Sequence, residues 1–390
     1  MSSAPRTADN APSWYVNPAA RTWTCEPPPA DVPLFHAGLP ASGPTPLVEL
    51  PAVAAELGVR RVFVKDESTR LGLPAFKALG VSYAVHRVLA ERVGAPPGPA
   101  TVAQMRARAA ALPPIELVAA SDGNHGHALA RTGRLLGLPV RILLPEAVGA
   151  VMAEAIAAEG ARVDVVAADY DTTVRRAAGV AAGHEPAVLV QDTSWEGYER
   201  IPRWIVDGYA TLFHEIDAQL RAAGAPAPAL VAVPMGVGSL AQAAVTHYRG
   251  AAAGRATALL GVEPDTAACV RAGLAAGRPL ALATGRTIMA GLNCGTPSPL
   301  AWPYLRGGLD ACVTVTDPAA ARAVADLARL GLSSGPCGAA TLAAARTTLA
   351  VTPDGYGAPT RRRLLGVDAM STVILLSTEA SRPAHGDAAG

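Results

Sequence analysis

The chain has 390 residues, half of them apolar, and 33 basic against 32 acidic side chains leave a formal net charge of +1. A chain of this size can bury two packed cores, or one large core with a second lobe, but it offers no field of one sign to hold a phosphate backbone or an anionic bilayer. Nucleic acid and membrane are therefore set aside as partners. Gly, Pro, Arg or Asp also interrupts every Ala/Val/Leu run before the roughly 18 apolar residues of a membrane span. The polar opening from Met1 to Asn17 has no basic stretch leading into an apolar one, so it does not read as a secretion signal, and a soluble cytoplasmic protein is expected.

Residues 1–45, rich in Pro and polar groups, are expected to form an irregular arm. The arm ends in Gly43-Pro44-Thr45-Pro46-Leu47, ahead of a helix over Val48 to Leu57. From there short β-branched runs predict strands at Arg61 to Lys65, Ile115 to Ala120, Val140 to Leu144, Arg162 to Ala167 and Ala187 to Val190. Three more follow at Ala229 to Pro234, Ala258 to Glu263 and Thr372 to Ser377. Ala/Leu/Arg segments between them predict helices at Val81 to Val93, Ala150 to Glu159, Thr172 to Ala182, Pro202 to Ala222 and Leu240 to Tyr248. Ala-rich tracts such as Ala251 to Ala258 read as helix filler. Strands alternating with helices imply an α/β protein of parallel sheets covered on both faces, with ligands beyond the carboxyl ends of the strands. The five cysteines, Cys25, Cys269, Cys294, Cys312 and Cys337, are too scattered for a disulfide framework, and none pair at the spacing of a metal knuckle. Buried thiols are expected, and no metal site.

Four loops in the predicted positions carry residues suited to chemistry. The first follows Val64-Lys65-Asp66-Glu67-Ser68 and holds Phe76-Lys77-Ala78-Leu79-Gly80 at a helix start. Lys77 has no acidic near neighbour in sequence, and a poorly solvated lysine loses part of its proton affinity, as an amine must in order to attack an aldehyde. Alone, it reads more readily as a surface lysine. The second loop, Ser121-Asp122-Gly123-Asn124-His125-Gly126, leads from strand to helix. Its glycines admit close backbone approach, Asn124 can donate to a phenolate-like oxygen, and Asp122 can either move a proton or cap the helix. The third, Met235-Gly236-Val237-Gly238-Ser239-Leu240, is a phosphate cradle at a helix N-terminus, without the Lys of a Walker motif or the third glycine of a dinucleotide fingerprint. The fourth is the end of a buried strand, Leu376-Ser377-Thr378-Glu379, where a neutral hydroxyl could face a pyridine nitrogen and leave it largely unprotonated. An amine, a phosphate cradle and a Gly-Asn loop in one chain together describe a phosphorylated aldehyde cofactor, pyridoxal 5'-phosphate.

With these residues in place, the chain resembles the fold type II (tryptophan synthase β-like) pyridoxal phosphate enzymes, and among them the diaminopropionate ammonia-lyase family. The narrower markers are Val64-Lys65-Asp66-Glu67-Ser68, Asp122, the stretch from Gln191-Asp192 to Tyr198, Ile201-Pro202-Arg203-Trp204-Ile205, and the stretch from Thr287 to Gly295. The resemblance implies two lobes, each a mostly parallel open sheet covered by helices, with residues 1–80 and 205–390 forming the larger, cofactor-binding domain and 81–204 the smaller. It implies that Lys77 forms the Schiff base, that Asn124 contacts the phenolic oxygen, and that Gly236, Val237, Gly238, Ser239 and Leu240 hold the phosphate. Ser377 and Thr378 would face the ring nitrogen. Asp122 and Asp192 would be the active-site carboxylates, with Lys77 and Asp122 as bases on opposite faces. The reaction so implied is α,β-elimination of ammonia from 2,3-diaminopropionate or a close derivative, giving aminoacrylate and then pyruvate and ammonia, in a homodimer. A related β-replacement enzyme or serine/threonine dehydratase, in specialised metabolism, is the alternative. Trp195 and Tyr198 read equally as a substrate wall or as core, His125 as structural before catalytic, and Cys269 and Cys294 as separate thiols before a disulfide.

Overall fold

The computed structural model describes residues 13–183, 186–250, 256–350 and 358–381. Much of the expectation for Met1 to Asn17, and most of the Ala-rich tract at 251–258, falls outside these residues. The strands are β1 (Trp14–Val16), β2 (Leu47–Glu49), β3 (Arg61–Asp66), β4 (Glu116–Ala120), β5 (Val140–Pro145), β6 (Arg162–Val166), β7 (Ala187–Leu189), β8 (Leu230–Pro234), β9 (Ala258–Pro264), β10 (Ala311–Val315) and β11 (Thr372–Ser377).

They form two sheets. The first has seven strands in the order β1-β10-β9-β8-β11-β3-β2, and the second has four in the order β6-β5-β4-β7. The smaller sheet is parallel throughout. The larger is parallel except at its edges, where β1 runs antiparallel to β10 and β2 antiparallel to β3. Parallel strands need helical crossovers, which cover both faces of a sheet, and β8, β9 and β11 accordingly bury every residue. Among the described residues no helix is long and apolar enough to cross a membrane.

Four details differ from the sequence expectation. The arm is ordered in part, because Trp14–Val16 adds an edge strand to β10 and Val32–Ala37 forms a short helix with Pro in its first turn. The helix expected from Val48 begins only at Pro51, since Leu47–Glu49 pairs with β3 and the fixed φ of proline suits the first helical position. The strand β10 went unread in the sequence. The single helix expected over Pro202 to Ala222 is two, Arg200–Gly208 and Ala210–Ala222.

That last break positions Lys77. The helix Lys77–Arg92 crosses Arg200–Gly208 where glycine faces glycine. A Cβ on Gly208 would stand 2.7 Å from the carbonyl oxygen of Leu79 and 2.8 Å from Cα of Gly80. One on Gly80 would stand 2.6 Å from the Tyr209 ring and 2.7 Å from Ile205. Real Cβ atoms do not tolerate such distances, so the crossing is close only because neither residue has one.

Candidate active site

Lys77, Asp122, Asp192, the glycine loop and Glu379 all lie just beyond the carboxyl ends of strands or in the loops that follow them, and two strand neighbours set their spacing. β4 and β7 are paired in parallel, which brings Asp122, two residues past β4, alongside Asp192, three past β7. β8 and β11 are likewise paired, which brings the Gly236–Leu240 loop toward Ser377 and Glu379. The loop before Lys77 is laced to the end of β11, since Glu67 N–H donates to Ser377 O at 2.8 Å, Phe76 N–H to Thr378 O at 3.1 Å, and Ala380 N–H to Pro74 O at 2.8 Å.

Lys77 Nζ donates to Asp192 Oδ2 at 2.5 Å, with the lysine side chain 18% exposed and the aspartate 6%. Burial pulls the amine down, but the negative field of Asp192, with Tyr209 and Asp122 behind it, outweighs burial and holds Lys77 above its ordinary value. The expected loss of proton affinity is therefore corrected for this state: no acidic neighbour is available in sequence, yet the fold supplies one from 115 positions away. Burial pushes Asp192 up, while Lys77 and then His125 pull harder and leave it well below the usual carboxylate range. Tyr170 Oη donates to Asp192 Oδ1 at 3.3 Å.

Asp122 behaves differently. Burial raises it, and the pull of Lys77 does not cancel the combined effect of burial, Asp192 and Glu379. It does not cap the helix Asn124–Leu136, whose N-cap Gly123 receives no side-chain cap. Ser121 Oγ takes that work instead, accepting from Gly123 N–H at 2.8 Å and Gly126 N–H at 2.7 Å. With the capping role filled, Asp122 is free to face the site, where a Cβ on Gly291 would stand 3.3 Å from its Oδ2.

Asn124 Nδ2 donates to Glu379 Oε2 at 2.5 Å. Ser239 Oγ donates to the backbone oxygen of Asp192 at 2.8 Å, tying the glycine loop to the carboxylate beside Lys77. The loop turns at Gly238, whose φ of +99° belongs to glycine, and the helix Ser239–Arg249 that it opens has no side-chain cap over 11 residues. Ser377 Oγ donates to Ser334 Oγ at 2.8 Å, and both are buried. All four loops thus meet around Lys77. The donor set fits a phosphorylated aldehyde: an amine with one acceptor and an open approach, an uncapped helix N-terminus behind a glycine turn, and neutral hydroxyls at the far strand end.

The other singled-out residues divide. Trp195 and Tyr198 stack at 4.5 Å, and Tyr198 Oη accepts from Gln191 N–H and donates to Leu189 O, so the half-buried pair packs against the core of the smaller sheet. His125 Nε2 lies 2.6 Å from Val190 O, with Nδ1 3.8 Å from Asp192 Oδ2, so it braces the Asp192 loop. Cys269 and Cys294 are free thiols, as are the other three cysteines. Tyr170, Tyr209 and Cys337 surround the same space without a signal for it in the sequence, because each lies far along the chain from the loop it meets, and they are joined by Gly291 of the Thr287 to Gly295 stretch.

Comparison with known proteins bears directly on this geometry. Residues 39–355 match the family model for pyridoxal-phosphate dependent enzymes. The diaminopropionate ammonia-lyase of Salmonella typhimurium is 35% identical over 303 residues, covering 75% of this chain and 73% of that protein. The chain belongs to the diaminopropionate ammonia-lyase family of pyridoxal-phosphate dependent enzymes. The Escherichia coli member of the family is 36% identical over 288 residues, covering 74% of this chain and 71% of its own. Its selenomethionine-incorporated holo crystal structure superposes with a TM-score of 0.85 at 31% identity, covering 94% of this chain and 93% of that one. Beyond the family, a threonine deaminase from T.th. superposes with a TM-score of 0.67 at 25% identity, covering 88% of this chain and 94% of that one. The fold is therefore that of the fold type II enzymes, and the cofactor is pyridoxal phosphate.

Proposed function

We propose that this chain eliminates ammonia from 2,3-diaminopropionate or a close derivative, yielding pyruvate and ammonia. The observation that carries the reading is the pair of carboxylates, half-buried Asp122 and buried Asp192, that share the field of Lys77. A substrate with a second ammonium group requires an anion at its distal end, whereas serine, threonine or an O-activated serine brings no such charge.

In this reading Lys77 would hold the cofactor's aldehyde carbon, Asn124 its phenolic oxygen, residues Gly236, Val237, Gly238, Ser239 and Leu240 its phosphate, and Ser377 and Thr378 the side of its ring nitrogen. Pyridoxal phosphate supplies an electron sink that acidifies Cα of a bound amino acid and eases loss of a β-substituent. The protein supplies the proton handling. Lys77 Nζ accepts the Cα proton on one face and Asp122 on the other, and burial tunes Asp122 toward the working pH, as a carboxylate base requires. Asp192, which pairs with Lys77 at 2.5 Å, exchanges that cation for the substrate's distal ammonium. Tyr170 Oη and the Ser239 tie keep Asp192 in place during the exchange.

The reading includes a larger domain of 1–80 with 205–390 and a smaller one of 81–204, in keeping with which strands enter which sheet. It also includes a homodimer, on the family resemblance, and a cytoplasmic location, which suits five free thiols. The test is release of pyruvate and ammonia by purified holoenzyme from both enantiomers of diaminopropionate, with O-acetylserine, serine and threonine in parallel. Turnover of O-acetylserine or serine without turnover of diaminopropionate would replace this reading with β-replacement or dehydration.

A further inference from the structure

A second cavity, of about 350 Å³, shares none of the residues assigned above but borders the helix that Lys77 opens. Much of its lining is apolar: Leu39, Pro40, Leu71, Leu73, Leu135 and Ala78, the residue after Lys77. Arg106, Arg131 and Arg134 complete the lining. Glu159 answers two of these, accepting from Arg131 at 2.6 Å and Arg134 at 2.9 Å, with His127 at 3.6 Å on the same carboxylate. Arg106 donates Nε–H to Leu135 O at 2.7 Å and has no carboxylate within ion-pair reach among the described residues. Three guanidinium groups thus line the cavity, and the one carboxylate beside them pairs with two.

The backbone at the lip is unusual as well. Among the described residues, the non-glycine positions with left-handed φ are Ala41 at 54° and Leu71 at 52°. Both are at this cavity: Leu71 lines it, Ala41 follows Pro40, and a Cβ on Gly72 would sit 4.0 Å from Ala41 Cβ and 3.6 Å from Arg131 Nη1. Side chains with a Cβ adopt this conformation rarely, and such positions collect where a protein binds or switches.

We propose that this cavity is an effector site for a small organic anion with an apolar body, such as a branched or aromatic oxo acid. The anionic head meets Arg106 and its neighbours, and the hydrocarbon lies on the leucines. A zwitterionic amino acid fits poorly, because the one carboxylate nearby is already committed to Arg131, Arg134 and His127, and its ammonium would face three cations. A bare phosphate leaves the apolar wall uncovered. An occupant presses on Leu71, Leu73 and Ala78, which belong to the segment that delivers Lys77, so its binding is felt at the catalytic lysine.

The test is titration of holoenzyme with anilinonaphthalene sulfonate, an aromatic body bearing one sulfonate, followed by displacement with ketoisocaproate, leucine or inorganic phosphate in separate arms. Ketoisocaproate displaces the dye, while leucine and phosphate do not. Arg106→Ala weakens dye binding roughly tenfold at an unchanged melting temperature, and Ser82→Trp, which fills the cavity, removes it. Saturating ketoisocaproate changes kcat/KM by at least about twofold in the wild type and not in Arg106→Ala. Should Ser82→Trp fail to fold, Arg106→Ala compared with Arg106→Glu decides the matter. Dye bound equally by wild type and variants, leucine competing as well as the oxo acid, or an oxo acid that binds without altering kcat/KM would each overturn the proposal. So would dye binding confined to dissociated protomers, which would mean that a second copy of the chain covers the cavity. Binding is read from the dye, so failure here is separable from failure of the lyase reading.

Discussion

Lys65 and Lys77 stand on the same stretch of chain, both within buried ion arrays, yet the two arrays are built to opposite ends. Lys65 is fully buried and its ammonium is used up: Thr45 O at 2.7 Å, Glu215 Oε2 at 2.6 Å and Gln219 Oε1 at 2.9 Å take its three protons. Arg70 closes that array by bridging Glu67 and Glu215. Charges there balance, two cations against two carboxylates. Lys77 has one acceptor, stays 18% exposed, and sits with Asp192 paired and Asp122 left over. Burial lowers the proton affinity of Lys65 despite Glu67 and Glu215, whereas Lys77 ends above its ordinary value. A depressed amine value would have selected the wrong lysine. What distinguishes the reactive one is spare hydrogen-bonding capacity, an approach path, and a surplus carboxylate.

The comparison breaks most sharply at the lysines themselves. Lys77→Ala should abolish the borohydride-trappable linkage and lower turnover by roughly a thousandfold or more, with some loss of melting temperature because Asp192 is left buried without its cation. A linkage that survives the substitution would place the Schiff base elsewhere. Lys65→Met should cost stability but spare the chemistry. Removing one partner from a closed buried array leaves uncompensated charge, so stability falls by about 3–5 kcal/mol while folded molecules keep near-normal turnover; thermal melts beside specific activity per folded protein check this.

Smaller effects sharpen the difference. Asp192→Asn removes the anion that pairs with Lys77, and turnover of diaminopropionate should fall by about a hundredfold, or about 2.7 kcal/mol, with a larger penalty for the diamino substrate than for serine. Equal losses on both substrates would refute a role in reading the distal ammonium. Asp122→Asn should spare one enantiomer and cost the other about tenfold. It should also raise the melting temperature of the apo protein at pH 7. The native carboxyl of Asp122 is held above the unfolded value, so its ionisation costs stability once the pH has risen past both. That gain should vanish below about pH 3.9, where the unfolded carboxyl is protonated as well. A constant offset across the pH range would assign it to packing.

How much of this was legible in the sequence depends on distance along the chain. The strands from β3 to β9, with β11, were readable as short β-branched or apolar runs, and β8, β9 and β11, buried on both faces, are almost continuously apolar. The edges of the larger sheet were not: Trp14–Val16 and Leu47–Glu49 are three residues each, and both pair antiparallel. The helix starts at Lys77, as expected of that loop, and Gly80, a poor helix former, is tolerated there because it lets Gly208 approach. The loops at Asp122 to Asn124 and Gly236 to Leu240 were visible as local strings. The bonds that give them meaning were not, since Lys77 to Asp192 spans 115 positions and Asn124 to Glu379 spans 255. The capping role open to Asp122 could be withdrawn only when Ser121 was seen to hold it.

The contact of Gly80 with Gly208 carries a lesson for engineering. Neither residue reaches the chemistry, yet adding a single methyl group at either would lever apart the two helices and displace the reactive amine at the head of one of them. Libraries that diversify only the pocket walls can leave this joint alone, and any consensus or alanine-scanning scheme that fills it should return a folded protein that has lost its catalyst by translation rather than by substitution.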